Sequence, residues 1–176
     1  GTFNLENILC AAGAAHALDI LAHQIKNGIE NCHTIPGRLE KIDNSIDRFL
    51  FVDYAHTPDA LESILMTLKQ RAPKRIITIF GGGGDRDQSK RPLMGQVACK
   101  NSHIAIVSSD NPRTEHPDSI IKGILEGIDE FHRLSEQDLL LHPFKKGYLV
   151  EGDRKKALKK AVFISKPGDI IVAAGK

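Results

Sequence analysis

"RIITIFGGGGDRDQSKRPLMGQVACKNSHIAIVSS", residues 75–109, decides the fold. Two apolar runs, 75–81 and 103–109, flank a glycine-rich loop and the segment "PLMGQVACK" (92–100), which Pro92 can open as a helix. Neither run alternates polar with apolar residues, so each reads as a strand covered on both faces. A covered strand, a crossover helix and a second covered strand form a βαβ unit with parallel strands. The same alternation extends outward. "FLFVDYA" (49–55) is a further buried strand, followed by Thr57 as N-cap, Pro58 as first helical residue and a helix through 70. Downstream, a helix begins at Pro117 or Asp118 and runs to 133. Strands at 148–152 and 169–175 then enclose a basic helix (153–165) capped by Asp153. Strand and helix alternate about five times, which predicts an α/β fold: a mostly parallel sheet with helices on both faces. The stretch 134–147 reads as loop with a short helix. Upstream, 5–18 is an alanine- and leucine-rich helix packed on both sides, with Asn4 as its N-cap. A second helix fits 20–30, and Pro36-Gly37 marks a turn.

The 176 residues suffice for one domain, or for one domain and a piece of another. Apolar residues make up 41%, the share of a packed globular chain. With 24 basic and 22 acidic side chains the net charge is only +2, which supports neither nucleic acid nor a membrane surface as partner. Cys10, Cys32 and Cys99 are odd in number and widely spaced, so no disulfide framework or structural zinc is expected, and a reducing cytoplasm is the setting. No apolar stretch approaches the ~18 residues of a membrane span, and no signal peptide is visible. Both ends read as cut.

A parallel sheet also locates the chemistry, because ligands bind beyond the carboxyl ends of its strands. Those ends carry "DYAHTPD" (53–59), "GGGGDRDQSKRP" (81–92), "SSDNPRTEHP" (108–117), "EGDR" (151–154) and "AAGK" (173–176). The glycine loop matches neither GxGxxG followed at once by a helix nor GxxxxGK[ST]. Four successive glycines let backbone approach a ligand closely, with Arg86, Lys90 and Arg91 as nearby cations; a flexible solvated loop is the plainer alternative. Asp53 and His56 suit recognition of a ribose, base or phosphate, although an ordinary helix start explains them equally simply. In "DNPR" (110–113), Pro112 stiffens the loop and aims Asn111, a donor and acceptor, beside the planar fork of Arg113. That set suits a ligand with both an ammonium and a carboxylate, such as an amino acid; an Asx turn with a surface arginine stands as the alternative. The remaining histidines lack metal-ligand spacing. No catalytic Ser-His-Asp or Cys-His set can be assembled.

Taken in order, "GTFNLENILCAAGAA", "PGRLE", "VDYAHTPDALE", "FGGGGDRDQSKRPLMG", "SDNPRTEHP" and "IIVAAGK" resemble the second half of a Mur ligase, nearest to the diaminopimelate-adding branch. The resemblance implies a Rossmann-like C-terminal domain at 39–176, lacking its final segment, preceded at 1–38 by the end of the central ATPase domain. It implies an ATP-dependent ligase of bacterial peptidoglycan synthesis. In that family ATP and Mg²⁺ activate the glutamyl carboxylate of UDP-N-acetylmuramoyl-L-alanyl-D-glutamate as an acyl phosphate, which meso-diaminopimelate then attacks. The family's GKT loop and carbamoylated lysine have no counterpart here, so the chain alone is expected to be inactive and to carry the amino-acid-binding half. Carried over by motif, Arg86, Asp110, Asn111, Pro112, Arg113 and Gly175 fall on diaminopimelate. Asn7, Arg38, Asp53 and His56 fall on ATP, and no metal ligand is assigned. A cytoplasmic monomer is expected. A lysine-adding relative, and a non-catalytic nucleotide- or amino-acid-binding module, stand as alternatives.

Overall fold

The computed structural model describes residues 2–71 and 73–175. The chain divides into two compact units, Gly1–Pro36 and Gly37–Lys176. The first is a pair of helices, α1 (Thr2–Ala17) and α2 (Ala22–Asn31). Asn4 lies inside α1 and does not cap it. Leu5, Ile8 and Leu9 of α1 are exposed, where a helix packed on both sides was expected.

The second unit is a six-stranded sheet in the order β1-β2-β6-β3-β4-β5. Its strands are β1 (Glu40–Ile42), β2 (Phe49–Asp53), β3 (Ile76–Phe80), β4 (Ile104–Val107), β5 (Gly147–Val150) and β6 (Ile170–Ala174). Five run parallel, as the covered apolar runs require. The edge strand β1 pairs antiparallel with β2, Glu40 opposite Val52; "EKI" contains no apolar run that would announce it. The helices are α3 (Pro58–Lys69), α4 (Lys90–Asn101), α5 (Pro117–Leu125), α6 (Glu136–Leu141) and α7 (Arg154–Ile164).

Alternation along the strands builds two cores. Ile77, Ile79, Ile104, Ile106, Leu149 and Ile171 pack on one face against Leu134, Leu139 and the Ala157, Ala161 and Ile164 stripe of α7. Ile76, Thr78, Phe80, Ala105 and Val107 point to the other, beneath α3, α4 and α5, which pack side by side. There the buried Thr78 and Ser102 hydroxyls lie 2.6 Å apart and satisfy each other. The chain leaves β4 for the α5 face and β5 for the α7 face. The crossover direction thus reverses between these neighbours, and such a reversal is where parallel sheets bind ligands at their carboxyl ends.

Several boundaries differ from expectation for local reasons. Helix α4 starts at Lys90, ahead of Pro92, since the first turn has no intrahelical N–H partner for proline to remove. Helix α5 stops at Leu125 and does not reach 133. Gly127 lies so close to α4 that an added Cβ would be 2.1 Å from the Pro92 carbonyl oxygen, and Ile128 beyond it is fully buried. Within 134–147, α6 is fixed by a capping box: Ser135 Oγ accepts from the Asp138 amide, and Asp138 Oδ2 from the Ser135 amide. The expected caps Thr57 and Asp153 both accept helix-start amides.

The opposite, amino edge of the sheet is held by polar groups. Arg75 and Asp169, each about 1% exposed, form a two-point ion pair, and Arg75 also donates to the carbonyls of Ile164 and Pro143. Beside them His103 Nδ1 accepts from the Ile76 amide at 3.0 Å. Burial, then the cations of Lys146, Arg75 and Lys69, hold the His103 pKa below its ordinary value, with Asp169 opposing. The neutral ring therefore stabilises the fold above the unfolded-state pKa of about 6.5, and this contribution is lost as pH falls from there through the folded-state value. Thermal melts should show Tm falling from pH 7.5 to 5.5, with a shallower slope in His103→Asn. An unchanged slope in the variant would remove His103 as the cause.

Candidate functional site

The loop after β3 (81–89) and the loop after β4 (108–116) are built against each other, backbone on backbone. The Gly84 amide donates to the Asn111 carbonyl at 2.9 Å. A Cβ on Gly81 would lie 2.4 Å from the Ser108 carbonyl oxygen, and one on Gly84 only 1.8 Å from that of Pro112. Close approach of two main chains, at Gly81 and Gly84, is what the glycine run makes possible. Around this seam, Arg113 Nη1 donates to the Gly84 carbonyl at 2.7 Å. The Asp85 carboxylate accepts from the Thr114 amide and hydroxyl, and these bonds hold its pKa below the usual carboxylate range. Glu115 Oε1 accepts from Arg91 and from the Asp85 amide, both at 2.7 Å; its pKa is lowered mainly by the Arg91 bond.

Those contacts sort the cations. Arg91, expected as a ligand-facing group, is 6% exposed and serves as an internal strut to Glu115. Arg86, Asn111 and Arg113 are exposed on the two joined loops, and Asp110 and Pro112 are half-buried beneath them. Arg113 has a left-handed backbone, φ 50°. Gly175, φ 95°, donates its amide to the Asp53 carbonyl at 2.9 Å. A Cβ there would stand 2.8 Å from an Asp110 carboxylate oxygen. Arg86, the 110–113 loop and Gly175 thus share the carboxyl edge of the sheet; Lys176 of "AAGK" lies outside the described residues. Guanidinium groups beside an aspartate can bind a carboxylate and an ammonium of one small molecule.

A second cluster sits where β2 ends. Asp53 is 5% exposed, and its carboxylate accepts from the amides of Leu39 (2.6 Å) and Ala55 (2.7 Å), clasping the 37–39 turn to the strand. The Arg38 guanidinium lies 5.3 Å from the Tyr54 ring centroid, and the His56 ring meets Tyr54 edge-on at 4.9 Å. Arg38, Asp53 and His56 are therefore brought together, with Tyr54 as an exposed aromatic member that the sequence reading passed over. Asn7 is exposed on α1, in the first unit.

Residues 37–176 match a family profile described as Mur ligase, glutamate ligase domain. The chain belongs to the Mur ligase family. It is 45% identical, over 178 aligned residues, to the UDP-N-acetylmuramoyl-L-alanyl-D-glutamate–2,6-diaminopimelate ligase of Geobacter metallireducens, covering 100% of this chain and 35% of that protein. The ligase of the same name from Geobacter sulfurreducens is 44% identical with the same coverage. A solved structure of such a ligase superposes with a TM-score of 0.67 at 37% identity, over 100% of this chain and 33% of that one. The chain spans about a third of the length of these relatives.

In this Mur ligase domain the sequence reading also missed Arg154. "EGDR" was visible as one of the strand-end clusters, but nothing in it separated Arg154 from the basic residues that follow. Its Nη2 donates to the Ala174 carbonyl at 2.6 Å, at the end of β6. Among the described residues no group of three or more His, Cys, Asp or Glu side chains is placed to hold a metal ion, and no helix is long and apolar enough to cross a membrane.

Proposed function

We propose that the full-length protein carrying this chain is a cytoplasmic, monomeric ATP-dependent ligase. It joins meso-diaminopimelate to UDP-N-acetylmuramoyl-L-alanyl-D-glutamate in peptidoglycan synthesis. In this reading residues 39–176 form the amino-acid-binding C-terminal domain and residues 1–38 the end of the central ATPase domain. The observation that carries it is the joined loop pair, which carries Arg86, Asp110 and Arg113 on one carboxyl edge of the sheet. The names of relatives at 44–45% identity support it.

Diaminopimelate has an amino-acid group at each end. The near amine reacts; the far carboxylate needs a planar, two-donor cation, and the far ammonium needs an acceptor. Arg113 and Arg86 supply the first and Asp110 the second, with Asn111 able to serve either. Lysine lacks the far carboxylate, so the arginine fork is what favours diaminopimelate over it.

ATP, when bound, supplies the phosphoryl group that activates the acceptor carboxylate. The exposed Arg38–Tyr54–His56 cluster fits part of a nucleotide site, offering the Arg38 guanidinium beside an aromatic ring, and Asp53 holds the turn that places Arg38. The described residues do not fit a magnesium cage of their own. This chain's share of the reaction is to bind and orient the incoming amine.

In the full-length protein, Arg113→Ala should raise KM for diaminopimelate by roughly 10- to 150-fold, the equivalent of about 1.5–3 kcal/mol for a charged hydrogen bond. KM for ATP should stay within about twofold, a bound set for this test. Steady-state kinetics with each substrate varied in turn checks this. Equal rises for both substrates, or wild-type turnover of lysine in preference to diaminopimelate, would refute the assignment.

A further inference from the structure

We propose that Arg154 is a positioning residue for amino-acid recognition: it fixes the end of β6, against which Asp110 lies, so that the Asp110 carboxylate is aimed at the ligand's ammonium group. The inference deepens the functional reading above and rests on it.

Arg154 is the first residue of α7, beside the point where the exits of β4 and β5 lead to opposite faces. Its guanidinium donates through Nη2 to the Ala174 carbonyl at 2.6 Å, the last residue of β6 and the neighbour of Gly175. The Ser109 amide, one residue before Asp110, donates to the Gly152 carbonyl at 3.1 Å, drawing the β4 loop toward the start of α7. Gly175 in turn lies against Asp110, where a Cβ would be 2.8 Å from its carboxylate oxygen. The exits of β4, β5 and β6 thus meet around the start of α7. Its Nη1 is buried and has no hydrogen-bond partner among the described residues. Burial depresses the Arg154 pKa, and the Asp110 charge acts in the opposite direction.

The chemistry calls for arginine. A planar fork can donate to the Ala174 carbonyl through one nitrogen in a fixed direction while keeping its full charge at the end of β6. A lysine ammonium is a point charge without that fixed fork geometry. Without the guanidinium, the β6 end beside Asp110 loses its tether. The carboxylate is then no longer held where an ammonium would meet it.

The test uses the full-length protein, with wild type, Arg154→Met, Asp110→Asn and the double variant assayed for KM of diaminopimelate and of ATP. Arg154→Met should raise KM for diaminopimelate about tenfold or more, as expected for a lost charged contact, and leave KM for ATP nearly unchanged. Because Arg154 acts through Asp110, the double variant should match Asp110→Asn alone. Fully multiplicative effects, or equal rises for both substrates, overturn the proposal. Arg154→Lys keeps the stem and the charge and so guards against a folding defect. It should melt like wild type and still raise KM for diaminopimelate several-fold; a wild-type KM here also overturns the proposal. Added guanidinium, but not ammonium, should restore Arg154→Ala. Failure of wild type to use diaminopimelate at all would instead refute the functional reading itself.

Discussion

Arg75→Ala is expected to cost about 3–5 kcal/mol of folding stability, the usual result of removing one partner from a buried ion pair. The reason is what remains behind. Asp169 has a fully buried side chain, and beyond Arg75 its Oδ2 accepts from the Lys166 amide at 2.7 Å. Deleting the guanidinium strands that carboxylate in the interior and orphans the Ile164 and Pro143 carbonyls as well. The contacts join the starts of β3 and β6, the end of α7 and the turn after α6, so the whole amino edge loosens together. Arg75→Met combined with Asp169→Leu should recover a large part of the loss, because no buried charge is left unpaired. Urea unfolding of the three variants, compared through midpoint and slope, measures both effects. A single variant within about 1 kcal/mol of wild type would mean that water reaches this pair.

Arg75 and Asp169 also show where sequence reading stops. Both stand at the margins of apolar runs, and their separation of 94 positions leaves no local trace of a pair. What periodicity does encode is the sheet itself. Runs such as "IITIF" and "IAIV" are apolar at every position because helices cover both faces, so parallel strands followed from composition along the run. Strand β1 escaped because a three-residue edge strand with one covered side carries no such pattern. The end of α5 escaped because the close neighbour of Gly127 just beyond it is Pro92, a distant residue.

The site was legible as a place before it was legible as a mechanism. Strand ends rich in glycine and charge gave the edge, and "DNPR" gave a stiff loop with a fork. The division of labour among the cations was not readable. Arg86 and Arg91 look alike in "GDRDQSKRP", yet one is exposed and the other is a strut locked to Glu115. Asp53 likewise reads as a ligand contact by motif, while its two amide bonds give it a structural task whatever else it accepts. Arg154 was hidden for the same reason: its role depends on where β6 ends, twenty residues away.

Two neighbouring glycines should therefore behave in opposite ways when each is replaced by alanine. At Gly84 the new Cβ would sit 1.8 Å from the Pro112 oxygen and 2.6 Å from its carbonyl carbon. Both are backbone atoms, and no flexible side chain can yield. An ordinary carbon–oxygen contact needs about 3.3 Å, so the loops must part by roughly 1.5 Å. That breaks the Gly84–Asn111 bond and the Arg113–Gly84 bond, and under the proposed function it displaces the fork from diaminopimelate. A misplacement of about 1 Å can lower activity by about 100-fold, so kcat/KM for diaminopimelate in the full-length Gly84→Ala protein should fall by at least that order. The stability cost is the smaller effect, about 1–3 kcal/mol for overpacking. At Gly83 the added Cβ would meet only the Arg86 Cγ at 3.5 Å, an ordinary contact with a mobile side chain. Gly83→Ala should accordingly keep KM for diaminopimelate within a few-fold of wild type. Kinetics on the pair, with thermal melts to confirm folding, separates a seam that must stay closed from a loop that is merely flexible. Equal behaviour of the two variants would show that the joined backbones do not set the position of Arg113.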